Sequence, residues 1–540
     1  MTESKLRLSR RGLARGGALL AFSASLPGLL ATPFRAALAQ TPPPAPAQGQ
    51  PQNGQAQPQD GQPFSFERLV ERARQKAAAA YEEQPRAADW FAGLSAEQWR
   101  SIRFSPEQAL WGDWDSYRLQ FIPPGGAYRS LVRINIVEEG LAREVKPTPA
   151  MFEFGELEPP ASLAEILGFA GFRVHYPLNA PGVLDQLLVF LGASYFRAIG
   201  RGTTYGPSAR GLALNTGNPR PEEIPAFREF WIQRPRQAHD PLTVFALLDS
   251  PSVCGAYRFD VATREHTRID VDANLFFRSA VEQVGIAPLT SMYAFGENDR
   301  LGVDDHRPQV HNSGGLSMWR SNGDVLWRPL VNPSELRLAV LADENPRGFG
   351  LLQRDRRYEK YEDIDNRYEM RPNLWVEPKG TWGKGSVRLI EIPTQDEKND
   401  NIVAFWTPEE PVTEGQELRL AYGLLWSFAP PIDTGLARVR GTRVGAAAPG
   451  PDGEASPIRR VVVDFDMPSA ELPEGEVRAD VTAGNAQLSP TVPRHNPVTG
   501  GWRVMFDVEP TGRGPVELRC FLAIGDRKIS EVWLYRLDKS

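Results

Sequence analysis

The chain has 540 residues, of which 61 are Lys or Arg and 67 are Asp or Glu, so its formal net charge is -6. An acidic balance of this kind argues against nucleic acid as a partner. Only two cysteines occur, Cys254 and Cys520, and they are far apart with no CxxC spacing. We expect both to be buried and unpaired, although an oxidising compartment would permit a disulfide between them.

The N-terminus has the features of an export signal. Five basic residues lie within the first 15 positions, a weakly apolar run covers residues 16–31, and Ala37-Leu38-Ala39 provides a cleavage site. Residues 9–14 (SRRGLA) resemble a twin-arginine signal, with a chance Arg-Arg pair in a general secretory signal as the alternative. The apolar run is shorter than the roughly 20 residues of a membrane span. We predict that residues 1–39 are removed and that the mature protein is periplasmic, with no membrane span.

A low-complexity segment follows the signal. Residues 40–63 contain eight Gln and seven Pro and cannot bury enough apolar surface to fold, so we predict a disordered tether. Residues 1–39 hold six basic and one acidic side chain, so the rest of the chain has a formal charge of -11. The remaining part of about 475 residues exceeds what one core normally sustains, and we therefore expect two domains.

The folded part begins with one predicted helix and continues with strands. Residues 66–81 keep an apolar stripe at helical spacing. Short runs rich in Val, Leu, Phe and Tyr then recur between turn residues, as antiparallel strands require. These runs are YRLQFI, SLVRINIV, DQLLVFLGA, LTVFALL, AYRFDVA, TRIDVDANLFF, LRLAVLA, SVRLIEI and ELRLAYGLLWSF. Many strands with little helical periodicity predict a large antiparallel β-sandwich over residues 64–432.

A second β unit is predicted at the C-terminus. Residues 430–452 are rich in Gly, Ala and Pro and lack a sustained apolar period, which is typical of a domain boundary. Five runs follow at the spacing of an immunoglobulin-like sandwich of about 100 residues. These runs are RRVVVDFDM, EVRADVTA, GGWRVMFDV, PVELRCFLA and EVWLYRL. We therefore assign residues 433–540 to a smaller immunoglobulin-like domain and the whole fold to the mainly β class.

The familiar signatures of metal and nucleotide enzymes are missing from the sequence. It contains no HExxH, no Walker loop and no GxSxG, and its six histidines have no metal-ligand spacing. We therefore expect no cofactor and no metal.

Five tryptophans lie within one region of 88 residues, interleaved with acidic, amide and guanidinium side chains. They are Trp319, Trp327, Trp375, Trp382 and Trp406. Sugar rings stack on indoles and hydrogen-bond to such polar groups, so this region is a candidate carbohydrate-binding groove. Packing in the core of a large sandwich is the alternative role for the same residues.

A polar segment separates two apolar runs close to the last of these tryptophans. The stretch IPTQDEKNDNIVAFW (392–406) has seven consecutive polar residues at 395–401, and its flanks predict strands around a loop. Most such loops are solvated connections, but catalytic residues also favour loops on rigid scaffolds. Residues in this loop are therefore candidates for catalysis.

Eight blocks of the sequence resemble a single family. They are GFAGFRVHYPLN (168–179), GASYFRAIGRGTTYGPSARGLAL (192–214), FREFWIQRP (227–235), LLDSPSVCGAYRF (247–259), APLTSMYAFG (287–296), NPRGFGLLQRDR (345–356), WVEPKGTWGKGSVRLIEIPTQDEKNDNIVAFW (375–406) and HNPVTGGWR (495–503). In this order, and over nearly all of residues 64–540, they are similar to the periplasmic glucan biosynthesis proteins OpgG and OpgD, also called MdoG and MdoD. The twin-arginine signal favours the D-type member.

The resemblance implies a large N-terminal β-sandwich with a long groove, an immunoglobulin-like C-terminal domain, and a role in making osmoregulated periplasmic glucans with a β-1,2-linked backbone. Members resemble inverting glycoside hydrolases of β-1,2-glucan, and some relatives transglycosylate. The family's Asn-Asp-Asn motif falls on residues 399–401, which implies that Asp400 is the general acid. The family's base is the Asp of an HDSxGL motif, where this chain has Asn312, an amide with no basic lone pair.

The missing base leaves three accounts open. Another carboxylate relays the proton through water, or a sugar hydroxyl replaces water and gives transglycosylation, or the chain binds glucan without cleaving it. We favour the first two over the third, which would make the chain a binding or scaffold protein. The candidate carboxylates are Asp304, Asp305, Glu362 and Asp363.

The remaining expectations concern the groove and its partners. We expect β-1,2-linked glucan as the ligand, with other glucan-synthesis proteins and a second copy of the chain as further candidate partners. Each additional groove candidate also has an ordinary salt-bridge or packing role as its alternative. These candidates are Arg201, Tyr205, Arg210, Arg356 and Tyr358.

Overall fold

The computed structural model describes residues 61–112, 116–237, 239–447, 458–512 and 514–537. The predicted signal peptide and nearly all of the predicted tether lie outside these residues. Within the described part of the chain, no helix is long and apolar enough to cross a membrane. The helices are α1 Phe66–Ala78, α2 Asp89–Ala92, α3 Ala96–Ser101 and α4 Leu163–Ile166, with short 3₁₀ helices at Pro106–Gln108, Pro149–Met151, Tyr358–Lys360 and Tyr368–Met370.

The described residues form 35 strands. They are β1 Gln62–Pro63, β2 Arg103–Phe104, β3 Arg118–Ile122, β4 Arg133–Glu138, β5 Leu141–Glu144, β6 Phe152–Glu153, β7 Gly171–Ala180, β8 Val183–Leu191, β9 Tyr195–Ala198, β10 Ser208–Arg210, β11 Ala213–Leu214, β12 Ala226–Gln233, β13 Leu242–Asp249, β14 Val253–Thr263, β15 Thr267–Phe277, β16 Val284–Ser291, β17 Tyr293–Phe295, β18 Val310–His311, β19 Gly315–Trp319, β20 Val325–Pro329, β21 Arg337–Glu344, β22 Gly348–Leu352, β23 Asn373–Lys379, β24 Lys384–Glu391, β25 Ile402–Pro408, β26 Glu417–Ser427, β27 Val439–Ala446, β28 Arg459–Phe465, β29 Val477–Gly484, β30 Ala486–Leu488, β31 Arg494–His495, β32 Trp502–Pro510, β33 Val516–Ile524, β34 Arg527–Lys528 and β35 Val532–Leu537. Every run that the sequence predicts as a strand forms one, and the mainly β fold class is confirmed.

Two large sheets face each other and enclose the main core. The larger has sixteen strands in the order β1-β5-β4-β12-β13-β14-β15-β26-β23-β22-β19-β20-β35-β33-β29, with β34 beside β33. The smaller has ten strands in the order β21-β24-β25-β16-β10-β9-β8-β7-β3, with β11 beside β16. Almost all neighbouring strands run antiparallel, the exceptions in these two sheets being β4 with β12 and β20 with β35.

The alternation of side chains along each strand explains why the sheets pack in this way. On β14, Tyr257, Phe259 and Val261 point into the core, whereas Arg258 and Asp260 point away from it. From the smaller sheet, residues such as Phe190 meet them, with 5.2 Å between the ring centroids of Phe190 and Phe259. Burial of apolar side chains from both inner faces is the main stabilising term of such a sandwich.

Helix α1 covers the outer face of the larger sheet. Its Ser65 cap accepts a hydrogen bond from Arg68 N at 3.3 Å, and the helix ends at Ala78, slightly before the predicted residue 81. Leu69 and Ala73 are buried against β12 to β15, in a small core that also contains Cys254. Cys254 and Cys520 are both unpaired and buried, as expected.

The C-terminal β unit is joined to the first through main-chain pairing. Its five-stranded sheet, β27-β28-β32-β30 with β31, packs on β29, β33 and β35 around a second core. Those last three strands continue the sixteen-stranded sheet, because β35 pairs in parallel with β20 through Leu326 with Val532 and Trp327 with Trp533. The predicted boundary at residues 432 and 433 falls between β26 and β27.

A buried ion pair crosses between the two units. Both Nη atoms of Arg354 donate to the Glu531 carboxylate at 2.7 Å, and Glu531 also accepts a bond from Val439 N at 2.8 Å. Only 4% of the Glu531 side chain is exposed. Loss of one partner from such a pair leaves a buried charge without compensation.

We expect Arg354→Met to lower the free energy of unfolding by about 3–5 kcal/mol, because Glu531 would remain buried without its cation. Urea unfolding at pH 7 measures the change. The matched control is Arg460→Met, which removes an equally bidentate pair with Asp507, at 2.7 and 2.8 Å, from a more exposed site. The control should lose much less stability, and equal losses in both variants would contradict the role of burial.

Candidate functional site

The polar segment before β25 is a loop between β24 and β25, as predicted. Its residues are exposed or half-buried up to Asn399, and then Asp400 and Asn401 are buried, with 7% and 2% exposed. The Asn401 amide causes this inward turn because it pairs with main chain. Its Oδ1 accepts a bond from Tyr293 N at 2.8 Å, and its Nδ2 donates to the carbonyls of Tyr293 and Ile392 at 2.9 and 3.0 Å. Asn401 thereby fixes the position of Asp400.

The carboxyl of Asp400 has few hydrogen bonds. Thr290 Oγ1 on β16 donates to Asp400 Oδ2 at 3.2 Å, and Oδ1 has no hydrogen-bond partner among the described residues. Burial raises the pKa of Asp400 to about 7, although the charges of Arg197 and Arg371 and the Thr290 bond act to lower it. Near neutral pH this carboxyl therefore exists in both its protonated and its ionised form.

Asn312 lies on a loop that is fastened to the same strand end as Asp400. This loop joins β18 to β19. Asn312 N donates to Met292 O at 2.8 Å, and Ser291 Oγ donates to Oγ of the next residue, Ser313, at 2.8 Å. Asn312 is 6% exposed, and its Oδ1 has no hydrogen-bond partner within the described ranges. Residues 290–293 thus hold both positions that the family resemblance singles out.

His311, beside Asn312, is a poor substitute for the missing base. Its ring stacks on Tyr293 with 5.2 Å between centroids, and its Nε2 lies 3.2 Å from Gln309 Oε1. Burial lowers the pKa of His311 to about 4, so the imidazole is neutral at pH 7 and accepts a proton only weakly.

Two of the predicted groove residues pack on side chains of β9, the strand that carries Arg197. Tyr205 lies against the Arg197 guanidinium, 4.5 Å from ring centroid to Cζ, and its hydroxyl donates to Gln186 O at 2.7 Å. Arg210 is fully buried, and its Nη1 is 3.1 Å from Glu222 Oε1. Both side chains are held in place by neighbours, so their positions are fixed before any ligand binds.

The other three groove candidates are not gathered with them. Arg201 is exposed on the turn after β9, and Tyr358 is 41% exposed on the first turn of a 3₁₀ helix. The Arg356 guanidinium binds main chain, because its Nη1 and Nη2 donate to the carbonyl oxygens of Glu369 and Phe428 at 3.0 Å each. Burial lowers the pKa of Arg356 to about 10. The structure thus gives Arg356 a role in bracing two segments of the chain.

The tryptophans are mainly core residues. Trp375 and Trp406 are completely buried and Trp327 nearly so, beneath the Arg354 guanidinium at 3.5 Å. None of these three offers a ring face to a sugar, so the packing alternative replaces the stacking role that we predicted for them. Trp319 and Trp382 are half-buried at the margins of the two cores, and their sugar contact stays a prediction.

The four carboxylates considered as replacement bases are either paired with an arginine or exposed to solvent. Asp305 and Asp363 both pair with Arg307, at 2.8 and 2.7 Å, while Asp304 and Glu362 are exposed. Hydrogen bonds from Arg307 lower the pKa of Asp305 to about 2, which makes its carboxylate a very weak base.

Three residues around Asp400 were not singled out from the sequence. For Arg197, the alternation along β9 could have predicted a side chain that points out of the core, because the neighbouring Phe196 points into it. Thr290 and Arg371 carry no comparable signal. They approach Asp400 only through the pairing of distant strands and segments.

Comparison with known proteins decides the family. A family model described as "Periplasmic glucan biosynthesis protein, MdoG" matches residues 64–537. The chain belongs to this family. A relative within it, "Glucans biosynthesis protein G" of Vibrio cholerae serotype O1, is 43% identical over 478 residues, which cover 88% of this chain and 86% of the Vibrio protein.

A second MdoG-family relative gives the same result. "Glucans biosynthesis protein G 1" of Shewanella oneidensis is 42% identical over 476 residues, which cover 88% of this chain and 87% of that protein. The match does not separate the G-type from the D-type member, so the D-type leaning stays a prediction. The family is one of periplasmic glucan biosynthesis proteins.

The raised pKa of Asp400 predicts a stability effect of Asp400→Asn that depends on pH. In the folded chain the pKa of this carboxyl is about 7, whereas its ordinary pKa is 3.8. Between these two pH values the unfolded chain has lost the proton and the folded chain still holds it, so the folded state of the natural chain loses stability as the pH rises. Asn does not titrate. We expect the unfolding free energy of the variant, relative to the natural chain, to rise by a few kcal/mol between pH 4 and 8, at about 1.4 kcal/mol per pKa unit.

Urea unfolding at several pH values between 4 and 8 checks this expectation. Asp396→Asn, which removes a carboxyl from the exposed part of the same loop, is the matched control. A constant difference between Asp400→Asn and the natural chain would show that the carboxyl is not desolvated.

Proposed function

We propose that this protein is a periplasmic enzyme that acts on the β-1,2-linked backbone of osmoregulated glucans, with Asp400 as its general acid. One observation carries the proposal: the carboxyl at the family's acid position is buried, and its pKa is raised to about 7. A general acid must hold its proton at neutral pH and release it during the reaction, and such a pKa serves both steps. The export signal that the sequence predicts in residues 1–39 supports the periplasmic location.

The surroundings of Asp400 suit the transfer of its proton to a glycosidic oxygen. Oδ1 is buried and has no partner among the described residues, so it is the carboxyl oxygen whose hydrogen-bonding capacity is unused. As the bond from C1 to the leaving oxygen breaks, the proton moves to that oxygen and Asp400 becomes a carboxylate. The Thr290 hydroxyl and the charges of Arg197 and Arg371 favour this ionised form.

The position of Asn312 limits what attacks C1 from the opposite face. Its Oδ1 can accept a hydrogen bond from a water or a sugar hydroxyl and orient it, but an amide cannot take the proton. Asp305 and Asp363 are occupied by Arg307. The attacking water or sugar hydroxyl must therefore lose its proton to solvent, so hydrolysis and transglycosylation are both slow compared with catalysis by a carboxylate base.

A glucan-binding or scaffold protein without catalysis is the second candidate function. The observation in its favour is Asn312 itself, because an inverting glycosidase requires a base opposite its acid. Under this alternative the buried Asp400 would only hydrogen-bond a bound sugar. Unaltered glucan after prolonged incubation, together with clear binding in calorimetry, would identify this function.

We expect Asp400→Asn to slow cleavage or transfer by about 10² to 10⁴, because the positioned proton donor is lost while the shape of the side chain is kept. Mass spectrometry and NMR of the products formed from purified linear β-1,2-glucan measure the rate. Calorimetry should show that the variant still binds this glucan more tightly than β-1,3- or β-1,4-glucans. Asp396→Asn is the control and should keep the natural rate. Full activity in Asp400→Asn would rule out its role as the acid.

We expect Asn312→Asp to raise the release of short glucans relative to transfer products, since it supplies a carboxylate that accepts a proton from water. The ratio of chain lengths in the product mixture measures the effect. Asn312→Ala serves as the comparison, because it removes the amide without adding a base and should not favour hydrolysis. An unchanged ratio in Asn312→Asp would mean that another group activates the nucleophile.

A further inference from the structure

Arg307 forms ion pairs with three carboxylates at once. Its Nε and Nη2 bind Asp305 Oδ1 and Oδ2 at 3.1 and 2.8 Å, its Nη1 binds Asp363 Oδ2 at 2.7 Å, and its Nη2 also binds Glu397 Oε2 at 2.7 Å. The side chain of Arg307 is only 16% exposed. We call this group of four residues the Arg307 clasp.

Each arm of the clasp reaches a different segment of the candidate site. Arg307 and Asp305 belong to the loop of residues 296–309, which runs directly into β18 and Asn312. Glu397 lies three residues before Asp400, on the loop between β24 and β25. Asp363 lies on the segment of residues 355–371, which ends at Arg371 beside the acid. One guanidinium therefore joins all three segments.

Apolar packing joins two of these segments near their bases, where Tyr361 and Tyr368 are buried with Phe295 and Val310, but it does not extend to their tips. Leu301 is 82% exposed and Ile364 is 76% exposed, although both are large hydrophobic residues. Other polar contacts help, including an ion pair of Lys360 with Glu297 and a bond from Thr394 N to Asn332 Oδ1 at 3.0 Å. Each of these contacts joins only two parts of the chain, whereas the clasp joins all three segments.

The chemistry of the clasp requires an arginine. Three carboxylates around one cation repel each other, and only a planar guanidinium presents enough donors in a fixed geometry to bind them together. Asp363 is a firm anchor because its Oδ1 accepts bonds from Asp365 N and Asn366 N at 3.1 and 2.7 Å. Glu397, by contrast, is carried on a mostly exposed loop, so the clasp restrains that loop against a fixed point.

We propose that Arg307 is a positioning residue of the site: it holds the loop of Asp400, the loop before Asn312 and the segment of Arg371 in one arrangement. Its kinetic consequence rests on the proposed function. A misplaced acid slows proton transfer, whereas glucan binding does not require that transfer. Loss of the clasp therefore lowers kcat more than it changes KM.

Hydrogen exchange measured by mass spectrometry on the mature protein without glucan tests the clasp directly. In Arg307→Met, exchange should become about tenfold faster in residues 296–309, 355–371 and 393–401 together. The control is Arg357→Met. Arg357 binds Asp355 with the same local geometry, Nε to Oδ1 at 3.1 Å and Nη2 to Oδ2 at 2.9 Å, but makes no ion pair with another loop in the described residues. Faster exchange confined to the neighbourhood of residues 305–307 would overturn the proposal.

Kinetics on linear β-1,2-glucan complete the test. In Arg307→Met we expect kcat to fall by about 10- to 100-fold with KM changed less than threefold, and Arg307→Lys to recover only part of the loss. Glu397→Gln removes a single arm and should lower kcat while loosening only residues 393–401. A Lys variant equal to the natural chain, or an equal kcat loss in Arg357→Met, would overturn the positioning role. If exchange responds as expected while Asp400→Asn stays fully active, the clasp is retained and the proposed function fails.

Discussion

Removal of the Asp400 carboxyl from water is the constraint on which the proposed chemistry of this protein depends. In water the group would be ionised at neutral pH and could not donate a proton. Here burial raises its pKa to about 7, and no second carboxylate of the described residues contributes to the shift. The amide of Asn401 and the end of β16 hold the carboxyl in its buried position, whereas Arg197, Arg371 and the Thr290 hydroxyl partly offset the rise in its pKa.

This site differs from that of an ordinary two-carboxylate glycosidase because the position of the second carboxylate holds Asn312. With a neutral amide at 312, no second negative charge is held by residues 290–293, and the protonation of Asp400 does not depend on the state of a partner. In the proposed reaction, the site keeps the acid that protonates the leaving oxygen but has no strong base to take the proton of the attacking water or sugar hydroxyl.

Much of the fold could be predicted from the sequence because its signals are local. The period-two alternation of runs such as TRIDVDANLFF (267–277) matches β15 residue for residue, and the stripe at Leu69 and Ala73 locates α1. The position of Asp400 on a loop was also local information. Its burial was not, because the residues that enclose it come from distant parts of the chain, Thr290 being 110 residues away.

The tryptophans and the candidate bases show where local information fails. An indole such as Trp375 has the same composition signal whether it stacks on sugar or fills a core, and only the pairing of the sheets decides. Likewise, Asp305 and Asp363 look like free carboxylates in the sequence. The ion pair of Asp363 with Arg307 forms only when segments 56 residues apart are brought together. Asp305 is only two residues from Arg307, but the sequence does not show that the two side chains bind each other.

The parallel pairing of β20 with β35 has a consequence for how this chain can be divided. Because main-chain bonds continue from one β unit into the other, the junction is part of a sheet rather than a flexible hinge. A fragment ending near residue 432 would leave β20, all of whose residues are buried, as an unpaired and mostly apolar edge. Such edges recruit other strands, so separated halves of this protein would tend to aggregate rather than behave as independent modules.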